Sequence, residues 1–334
     1  MGLAVKVALK DAERVRKQLI RKRVFLRGVE RKGDFLYIPV TKKVKGFDIV
    51  TFSVGKKEKI TIDGLLRNIL TKNELEMFPR AHDVIGDILI LEVQKELERK
   101  EKKIAEAYLK CYKNVKTVVK KSAIHSGVFR TRKLKVLAGE NKKATVYKEN
   151  GLRFKVHLEK MYFSSRLAHE RLRIAQQVRK GEEVLVMFSG CAPYCCVIAK
   201  HSPAKVVYGV EINPLAHEYG AGNVQMNKLW DKVKLYEGDV WKIVPTLKKK
   251  FDRIVMPLPK TGEEFLPLAL KYVKKNGVVH YYAFLKDEEV ENYKKRIKEI
   301  CGKEKKKCKI MNVVKAGQHA PYVFRVCFDV KINL

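Results

Sequence analysis

The pattern of hydrophobic and polar positions changes at about residue 164. Beyond it, short apolar runs predict strands at 184–188, 206–212, 233–236, 253–256 and 278–284. Three- and four-residue spacing predicts helices at 167–179, 215–229, 240–247, 265–275 and 287–301. Strands that alternate with helices in this way form a parallel sheet covered on both faces, so we expect an α/β fold. The last two predicted strands, 309–314 and 322–331, have no long helix between them and are expected to form an antiparallel edge.

The first 163 residues follow an α+β pattern instead. A basic helix that begins near Asp11 precedes strand patterns at 24–29 and 35–40, and the Lys-rich stretch 53–59 is typical of a boundary. Residues 91–122 place apolar side chains at helical spacing and predict one amphipathic helix. Alternation on both sides of Asn150-Gly151 predicts a hairpin. We therefore predict four regions: a small module at 1–60, a linker at 61–80, a middle domain at 81–163 and the α/β domain at 164–334.

Charge and composition narrow the class of protein. The 334 residues contain 72 Lys plus Arg against 37 Asp plus Glu, a formal charge of +35, and 46% are hydrophobic, which excludes a wholly disordered tail protein. Nucleic acid is the leading partner for such a charge, and an anionic membrane surface is the weaker one. The first residues lack the apolar segment of a signal peptide, and seven scattered cysteines do not resemble a secreted disulfide framework. We expect a cytoplasmic protein that does not enter a membrane.

Three consecutive strand ends carry residues suited to a nucleoside. Gly190 lies in a small-residue turn after the first predicted strand, Glu211 ends the second, and Asp239 follows the third. A carboxylate in the position of Glu211 can accept hydrogen bonds from both hydroxyls of a ribose. Both NAD and S-adenosylmethionine fit this geometry. The turn lacks the G-x-G-x-x-G pattern of a dinucleotide site, which favours S-adenosylmethionine.

Other residues are open to more than one interpretation. Pro257 and Pro259 follow the fourth predicted strand, where a stiff peptide either ends the strand or meets an acceptor base. Judged by its own helix, Glu170 is an exposed residue that pairs with Arg166 or Arg173. A zinc site suggests itself in the group Cys191, Cys195, Cys196 and His201. This group lacks the C-x2-C spacing of structural zinc sites, so we expect buried core cysteines and no metal.

Taken together, several motifs resemble the archaeal and eukaryotic tRNA (guanine-37-N1) methyltransferases. The resemblance covers roughly residues 80 to 334, and the small N-terminal module looks like that family's tRNA-elbow-contacting domain. It rests on the following sequences: Arg130-Thr131-Arg132, Met161 to Arg166 with Glu170-Arg171, Met187-Phe188-Ser189-Gly190, Glu211-Ile212-Asn213-Pro214, Met256-Pro257-Leu258-Pro259 and His280-Tyr281-Tyr282. The fold it implies is a class I, Rossmann-like S-adenosylmethionine methyltransferase sheet with an α+β RNA-binding middle domain.

The resemblance also implies residue roles. Glu170 would accept the N1 proton of guanine, and Arg130 would stabilise negative charge on O6, because N1 is a poor nucleophile until a carboxylate removes its proton. Pro257 and Pro259 would lie where the acceptor base meets the donor. The remaining implied residues would hold the donor: Arg166, Arg171, Phe188, Gly190, Tyr194, Glu211, Ile212, Asp239, Val240 and Pro257. The base would be flipped out of the anticodon loop of a tRNA, bound by a monomeric enzyme.

Departures from the family pattern refine the hypothesis. The family usually shows D-M-F-A-G-x-G-P-F at the first strand end and N-L-P at the fourth, whereas this chain has Val186, Ala192, Tyr194 and Pro257 at four of those positions. Such changes resemble an archaeal subgroup that also methylates C7 of 4-demethylwyosine at position 37. Three alternatives remain: an aminocarboxypropyl transferase of the wybutosine pathway, a non-catalytic tRNA-binding protein with a degenerate fold, and an enzyme that methylates rRNA or protein. The last lacks an N-P-P-Y-like strand end.

Overall fold

The computed structural model describes residues 2–52, 60–122, 131 and 133–333. Contacts divide the chain into two compact units, Met1–Thr61 and Ile62–Leu334. Within the described part of the chain, no helix is long and apolar enough to cross a membrane. The predicted boundary at 53–59 lies outside the described residues.

The first unit is a four-stranded antiparallel sheet with one helix. Its elements are β1 (Gly2–Ala8), α1 (Ala12–Arg21), β2 (Glu30–Lys32), β3 (Phe35–Val40) and β4 (Ile49–Phe52), in the sheet order β2-β3-β1-β4. The helix buries Ala12, Val15 and Leu19. The strand predicted at 24–29 is wrong, because only one bridge, Phe25 to Val40, forms there. The hydrophobic pattern does not predict β1, which is one of the two central strands of this unit.

The second unit begins with an α+β part. It contains α2 (Ile62–Leu66), α3 (Lys72–Met77), β5 (His82–Ile85), β6 (Ile88–Leu91), α4 (Glu101–Cys111), β7 (Thr117–Lys121) and β8 (Leu134–Gly139), and the sheet order is β5-β6-β7-β8. The predicted linker at 61–80 contains the two short helices α2 and α3, and Leu66 and Leu70 lie in the core beside α4. The single helix predicted over 91–122 is also wrong, since α4 ends at Cys111. The β-branched run that follows it forms β7.

The predicted hairpin forms β9 (Ala144–Glu149) and β10 (Leu152–His157), paired antiparallel. Asn150 and Gly151 both have positive φ, 47° and 69°, as a two-residue turn between twisted strands requires. Leu152, Phe154 and Val156 of β10 are buried in the same core as the large sheet.

A seven-stranded sheet completes the second unit, in the order β13-β12-β11-β14-β15-β17-β16. Its strands are β11 (Glu183–Met187), β12 (Val206–Glu211), β13 (Val233–Glu237), β14 (Phe251–Met256), β15 (Val273–Leu285), β16 (Lys307–Ala320) and β17 (Val323–Asn333). The first five pair in parallel, whereas β17 pairs antiparallel with both β15 and β16, so the predicted antiparallel edge is present. The chain order reverses between β11 and β14, and open sheets of this kind bind ligands at such a switch point.

Helices cover both faces of this sheet. They are α5 (Ala168–Gln177), α6 (Pro193–His201), α7 (Pro214–Met226), α8 (Val240–Thr246), α9 (Leu266–Tyr272) and α10 (Val290–Lys303). Successive side chains of β11 alternate between two cores: Val184 and Val186 lie with residues of α5, α6 and α7, whereas Leu185 and Met187 lie with residues of α8, α9 and α10. This confirms the predicted α/β class.

Candidate active site

The turn after β11 brings a backbone amide to a buried carboxylate. Phe188 and Gly190 both have positive φ, 59° and 56°, so the chain turns sharply as it leaves the sheet. The Gly190 N–H donates to Glu211 Oε2 at 2.6 Å, and the Asn213 N–H donates to Oε1 at 2.8 Å. The ends of β11 and β12 are therefore linked through one side chain.

Glu211 is 9% exposed. Burial raises its pKa above the usual value, although hydrogen bonds from the backbone of Asn213, Gly190 and Ile212 oppose the shift. A carboxylate has about four acceptor positions. Each oxygen is thus able to take a further donor, which is the chemistry that a ribose diol requires. The residues present fit a nucleoside at this strand end.

The next strand end adds an apolar surface. Asp239 caps α8, and its Oδ1 accepts from the Trp241 N–H at 2.9 Å. The Phe188 ring meets Phe265 edge to face at 4.8 Å, and Phe265 lies 5.9 Å from Trp241. Ile212 is 37% and Trp241 46% exposed, so apolar surface that could contact a purine is accessible at these strand ends.

Sequence reasoning missed Trp241 and Phe265. The signal for Trp241 was available, because a large aromatic residue directly follows Asp239-Val240. Phe265 ends a short 3-10 helix, Gly262–Phe265, and had no such signal. Val240, by contrast, was assigned to the adenine site, but its side chain is 3% exposed and belongs to the core under α8, α9 and α10. Only its backbone remains available for a ligand.

Arg171 is bound to other residues of the fold. It is 1% exposed and donates through Nε and a terminal nitrogen to the two oxygens of Glu149, at 2.6 and 2.5 Å. A further bond runs to the Ser164 carbonyl at 3.1 Å. A buried fork of this kind holds the hairpin strand β9 to α5 and to the loop before it, and donor binding by Arg171 stays a prediction.

Arg166 and Tyr194 also have other partners. The Arg166 guanidinium donates twice to Asp83 Oδ1, at 3.0 and 2.8 Å, and borders a cavity of about 290 Å³ that includes residues of β5 and β16. Tyr194 is 3% exposed and donates its hydroxyl to Tyr282 at 3.2 Å. Their assignment to the donor site stays a prediction.

The fourth strand end is a tight turn. The Leu258 N–H donates to the Met256 carbonyl at 2.8 Å, so Pro257 is the central residue of a three-residue turn. Pro257 and Pro259 are both partly buried. The fixed φ of proline suits this turn, which directs the chain away from the sheet at the switch point.

Glu170 is buried rather than exposed, with 5% of its surface accessible. It pairs with Arg173 as its own helix suggested, through bonds of 2.7 Å to Oε2 and 2.8 Å to Oε1. The Tyr282 hydroxyl also donates to Oε1, at 2.5 Å. Tyr282 follows Tyr281, which is in register with Met256, the last residue of β14. Glu170 therefore lies toward the same sheet edge as Gly190 and Glu211.

Of the remaining predicted residues, Arg130 lies outside the described residues. Cys191, Cys195 and Cys196 are buried core residues, and burial raises the pKa of each thiol. His201 Nε2 donates to the Asn150 carbonyl at 2.7 Å.

Within the described residues, one buried group has the ligand types of a metal site: His280, Cys327 and Asp329. Arg173 and Arg253 contact it, at Asp329 and at His280. Two guanidinium groups oppose the binding of a further cation.

Family models match the chain over almost its whole length. The description "TRM5/TYW2 methyltransferase domain" matches 145–311, "TYW2 N-terminal domain" matches 62–142, and "tRNA methyltransferase 5 N-terminal domain" matches 4–48. The chain belongs to the TRM5/TYW2 methyltransferase family. Membership confirms the resemblance found in the sequence.

Relatives within the TRM5/TYW2 family differ in their reactions. The tRNA (guanine(37)-N(1))-methyltransferase Trm5b of Pyrococcus abyssi is 36% identical, and the match covers 100% of both chains. The tRNA (guanine(37)-N(1))/4-demethylwyosine(37)-methyltransferase Taw22 of Nanoarchaeum equitans is 32% identical over 66% of this chain and 89% of that protein. The tRNA(Phe) (4-demethylwyosine(37)-C(7)) aminocarboxypropyltransferase of Pyrococcus horikoshii is 31% identical over 82% of this chain and 97% of that protein.

Solved structures of TRM5/TYW2 proteins agree with the fold. A complex of aTrm5 and tRNALeu has a TM-score of 0.73 at 30% identity and covers 99% of this chain and 100% of that one. P. horikoshii TYW2 in complex with MeSAdo has a TM-score of 0.70 at 27% identity and covers 81% of this chain and 98% of that one. The predicted class I methyltransferase sheet is thereby confirmed.

Proposed function

We propose that this protein is an S-adenosylmethionine-dependent tRNA methyltransferase that modifies position 37, at N1 of guanosine and at C7 of 4-demethylwyosine. The observation that carries the proposal is a buried carboxylate, Glu170, on the same sheet edge as the nucleoside-binding residues Gly190 and Glu211. Methylation of guanine N1 needs both a donor site and a base that removes the N1 proton. End-to-end similarity to a guanosine-37 methyltransferase supports the assignment.

The donor supplies an electrophilic methyl group on a sulfonium centre. Glu211 accepts hydrogen bonds from the ribose hydroxyls, while Asp239 and the backbone of Val240 bind the adenine edge. Phe188, Ile212 and Trp241 provide the apolar surface for the adenine ring. Gly190 lets the backbone approach closely, because its φ of 56° is strained for other residues.

Glu170 acts as the base on the acceptor side. Three donors in the described part of the chain approach it: two nitrogens of Arg173 and the Tyr282 hydroxyl, two of them on Oε1 and one on Oε2. Oε2 therefore retains an acceptor position for the N1 proton. Arg130 supplies the positive charge at O6, and Pro257 and Pro259 form the stiff peptide against which the base is positioned.

Methyl transfer is favoured over aminocarboxypropyl transfer by the extent of similarity. The match to the guanosine-37 methyltransferase includes the whole N-terminal unit, and residues 4–48 fit the tRNA methyltransferase 5 N-terminal domain. The aminocarboxypropyl transferase matches 82% of the chain. The second methylation is supported by Taw22, whose name combines both reactions. Pro257 is consistent with a wider acceptor, because it replaces a directional amide with an apolar ring.

The partner in this proposal is a tRNA, bound at its anticodon loop and, through the N-terminal unit, at its elbow, by one copy of the enzyme in the cytoplasm. A formal charge of +35 supplies the phosphate contacts. The aTrm5 complex with tRNALeu supports the class of partner.

Donor molecules labelled in either the methyl group or the carboxyl carbon test the type of reaction on two tRNAs, one with guanosine-37 and one with 4-demethylwyosine-37. We expect methyl label to enter both tRNAs, and carboxyl label to stay out of both. Entry of carboxyl label would identify an aminocarboxypropyl transferase. Entry of neither label, together with no donor binding by calorimetry, would identify a non-catalytic protein.

Variants of two glutamates test the role of the base. Glu170→Gln is expected to lower the single-turnover rate of methyl transfer by about 10²- to 10⁴-fold, the usual contribution of a general base. Glu218→Gln, an exposed glutamate on α7, is the matched control and should keep the parent rate. Equal rates for both variants would contradict the assignment.

A further inference from the structure

Glu170 is the end of a continuous buried network of charged and polar groups that crosses the sheet. Arg253 on β14 donates to Glu182 at 2.8 Å and contacts His280 Nε2 at 2.6 Å. His280 Nδ1 lies 2.6 Å from Asp329 Oδ1, and these two residues are register partners on β15 and β17. Arg173 then joins Asp329 to Glu170. The network passes through three neighbouring strands before it reaches α5.

The donors and acceptors fix the proton on His280. A guanidinium can only donate, so His280 Nε2 accepts from Arg253 and carries no proton. The imidazole proton is then on Nδ1 and is donated to Asp329. Burial lowers the pKa of His280 despite the hydrogen bond to Asp329, which agrees with a neutral ring. His280 thus transmits orientation from Arg253 to Asp329 without adding a charge.

Asp329 is the most heavily bound carboxylate of the network. It is 1% exposed and accepts from Arg173, His280, Gln177 and Asn312. Burial alone would raise its pKa, but the bonds from His280 and Arg173 outweigh burial and hold the pKa well below its usual range. Asp329 is therefore a fixed anion at every pH at which the enzyme works.

Arg173 is shared between two carboxylates. Its Nε and one terminal nitrogen bind Glu170, at 2.7 and 2.8 Å. Its two terminal nitrogens bind Asp329, at 2.7 and 3.2 Å. Because Asp329 is fixed from the other side, it determines where the planar guanidinium lies, and the guanidinium determines where the Glu170 carboxylate lies. A lysine could not hold both carboxylates with the same geometry.

We propose that Asp329, oriented by His280, is a positioning residue that acts through Arg173 to hold the Glu170 carboxylate in place for proton transfer. Nothing in this arrangement requires Asp329 to touch the substrate. The inference rests on the proposed role of Glu170 as the base. It extends that role to β15 and β17, which contribute no residue to the donor site described above.

The network is rich in charge. Three carboxylates, Glu182, Asp329 and Glu170, face two guanidinium groups and a neutral imidazole. A buried network of this size is a weak source of stability, because desolvation offsets most of the attraction between its charges. Control of the geometry at Glu170 gives it a function.

Every element packed against Glu170 contributes to its environment. Arg173 lies on its own helix α5, Tyr282 on β15, Cys327 and Asp329 on β17, and Tyr194 on α6. Burial raises the pKa of Tyr282, Tyr194 and Cys327, so these three groups stay neutral. Arg173 and Asp329 are the charged groups that the hydrogen bonds of the network join to Glu170. Removal of the Asp329 charge leaves the full attraction of Arg173 directed at Glu170.

The test is Asp329→Asn in the full-length protein, with single-turnover methyl transfer to tRNA measured from pH 5 to pH 9. We expect the rate to fall at least tenfold and the acidic limb of the pH–rate profile to move to lower pH, because Arg173 then stabilises the ionised base more strongly. Donor affinity, measured by calorimetry, is expected to change less than threefold. Asp252→Asn is the matched control, since Asp252 lies on β14 beside Arg253 but binds Lys274 and the Glu183 N–H instead.

Arg173→Lys tests the same inference if Asp329→Asn fails to fold. Lysine retains the positive charge and loses the fork, so the rate is again expected to fall at least tenfold while donor affinity is kept. Parent rate and parent pH profile in a folded Asp329→Asn or Arg173→Lys protein would overturn the inference. Glu170→Gln, assayed in parallel, separates the two proposals. Full activity of Glu170→Gln would contradict the role of Glu170 as the base. An inactive Glu170→Gln beside a fully active Asp329→Asn would contradict only the positioning role of Asp329.

Discussion

Glu211 and Glu170 show how two buried glutamates acquire different tasks from their neighbours. Glu211 is bound by backbone N–H groups of the two adjoining strand ends, and its remaining acceptor positions suit neutral hydroxyl donors. Glu170 is bound by a guanidinium and a phenol. The first arrangement suits ligand binding. The second suits a proton acceptor that is held in one geometry.

Donor affinity is predicted to depend on pH through Glu211. Its ionised form accepts from both ribose hydroxyls, and protonation removes an acceptor, so affinity should fall as the pH drops. Burial raises the pKa of Glu211 above its usual value, so the loss should begin at a higher pH than for an exposed glutamate. Calorimetric titration of the donor between pH 5 and pH 8 measures this. Glu211→Gln should bind weakly with little pH dependence, and an unchanged pH dependence in that variant would contradict the assignment.

At the scale of secondary-structure elements, asparagine side chains at the end of α7 bind the backbone groups at the edge of the hairpin that a further strand would otherwise pair with. Asn223 accepts from the Lys155 N–H at 2.7 Å and donates to the carbonyls of Lys155 and Cys191, at 3.1 and 3.0 Å. One turn later, Asn227 makes the same pair of bonds to Arg153, at 2.9 and 2.6 Å. Two side chains at i and i+4 thus satisfy the backbone of β10 and tie it to the turn after β11.

These two asparagines give a matched stability test. Asn223 is fully buried, so Asn223→Ala leaves buried backbone groups without partners and is expected to lower the free energy of unfolding by about 2–4 kcal/mol. Asn227 is partly exposed, and water can replace its amide, so Asn227→Ala should cost about 1 kcal/mol or less. Denaturant unfolding at neutral pH measures both. Equal losses for the two variants would show that burial does not set the cost.

Elements differ in how well their sequence predicts them. The strands of the large sheet are found because each is a short apolar run between polar helices, and the hairpin is found because Asn150-Gly151 allows only one kind of turn. Residues 91–122 mislead, because the apolar spacing of α4 continues by chance into β7. The prediction therefore extends one helix over two elements of different type. Local periodicity cannot detect a change that tertiary pairing with β6 and β8 decides.

The residues of the candidate site also differ in how well the sequence predicts their surroundings. Gly190, Glu211 and Asp239 are predictable because strand ends position them, and strand ends are visible in sequence. The partners of Arg171 and Tyr194 are not predictable, because these side chains are buried against Glu149 and Tyr282, which lie more than twenty residues away along the chain. Tyr282 lies 112 residues from Glu170 along the chain, and Asp329 lies 156 residues from Arg173. The network that joins these residues therefore appears only in the fold.

At the scale of the whole molecule, the net charge determines the class of partner, and the residues at the sheet edge determine which atom of that partner is methylated. An excess of 35 positive charges remains over the 334 residues even when every Asp and Glu is paired with a Lys or Arg. Such a surface attracts a polyanion without regard to sequence. The network around Glu170 selects a proton within one flipped base. Both parts are needed for a site-specific enzyme that acts on a large RNA.

Salt dependence tests the charged surface. The affinity for tRNA is predicted to fall steeply, by about 10³-fold or more between 50 and 200 mM salt if six or more phosphates are contacted. Donor affinity should stay nearly constant over the same range, because the donor site depends on hydrogen bonds and apolar contacts. Filter binding of labelled tRNA measures the slope. A flat slope would contradict a phosphate-dominated interface.

Mass spectrometry of nucleosides from treated tRNA tests the central claim most directly. Two substrates are needed, a transcript with guanosine at position 37 and a tRNA with 4-demethylwyosine there, each incubated with enzyme and S-adenosylmethionine. We expect N1-methylguanosine from the first and a methylated 4-demethylwyosine from the second. Glu170→Gln should lose the first product, and Glu218→Gln should retain both. An unmodified guanosine-37, or an aminocarboxypropyl group on the second substrate, would contradict the proposed function.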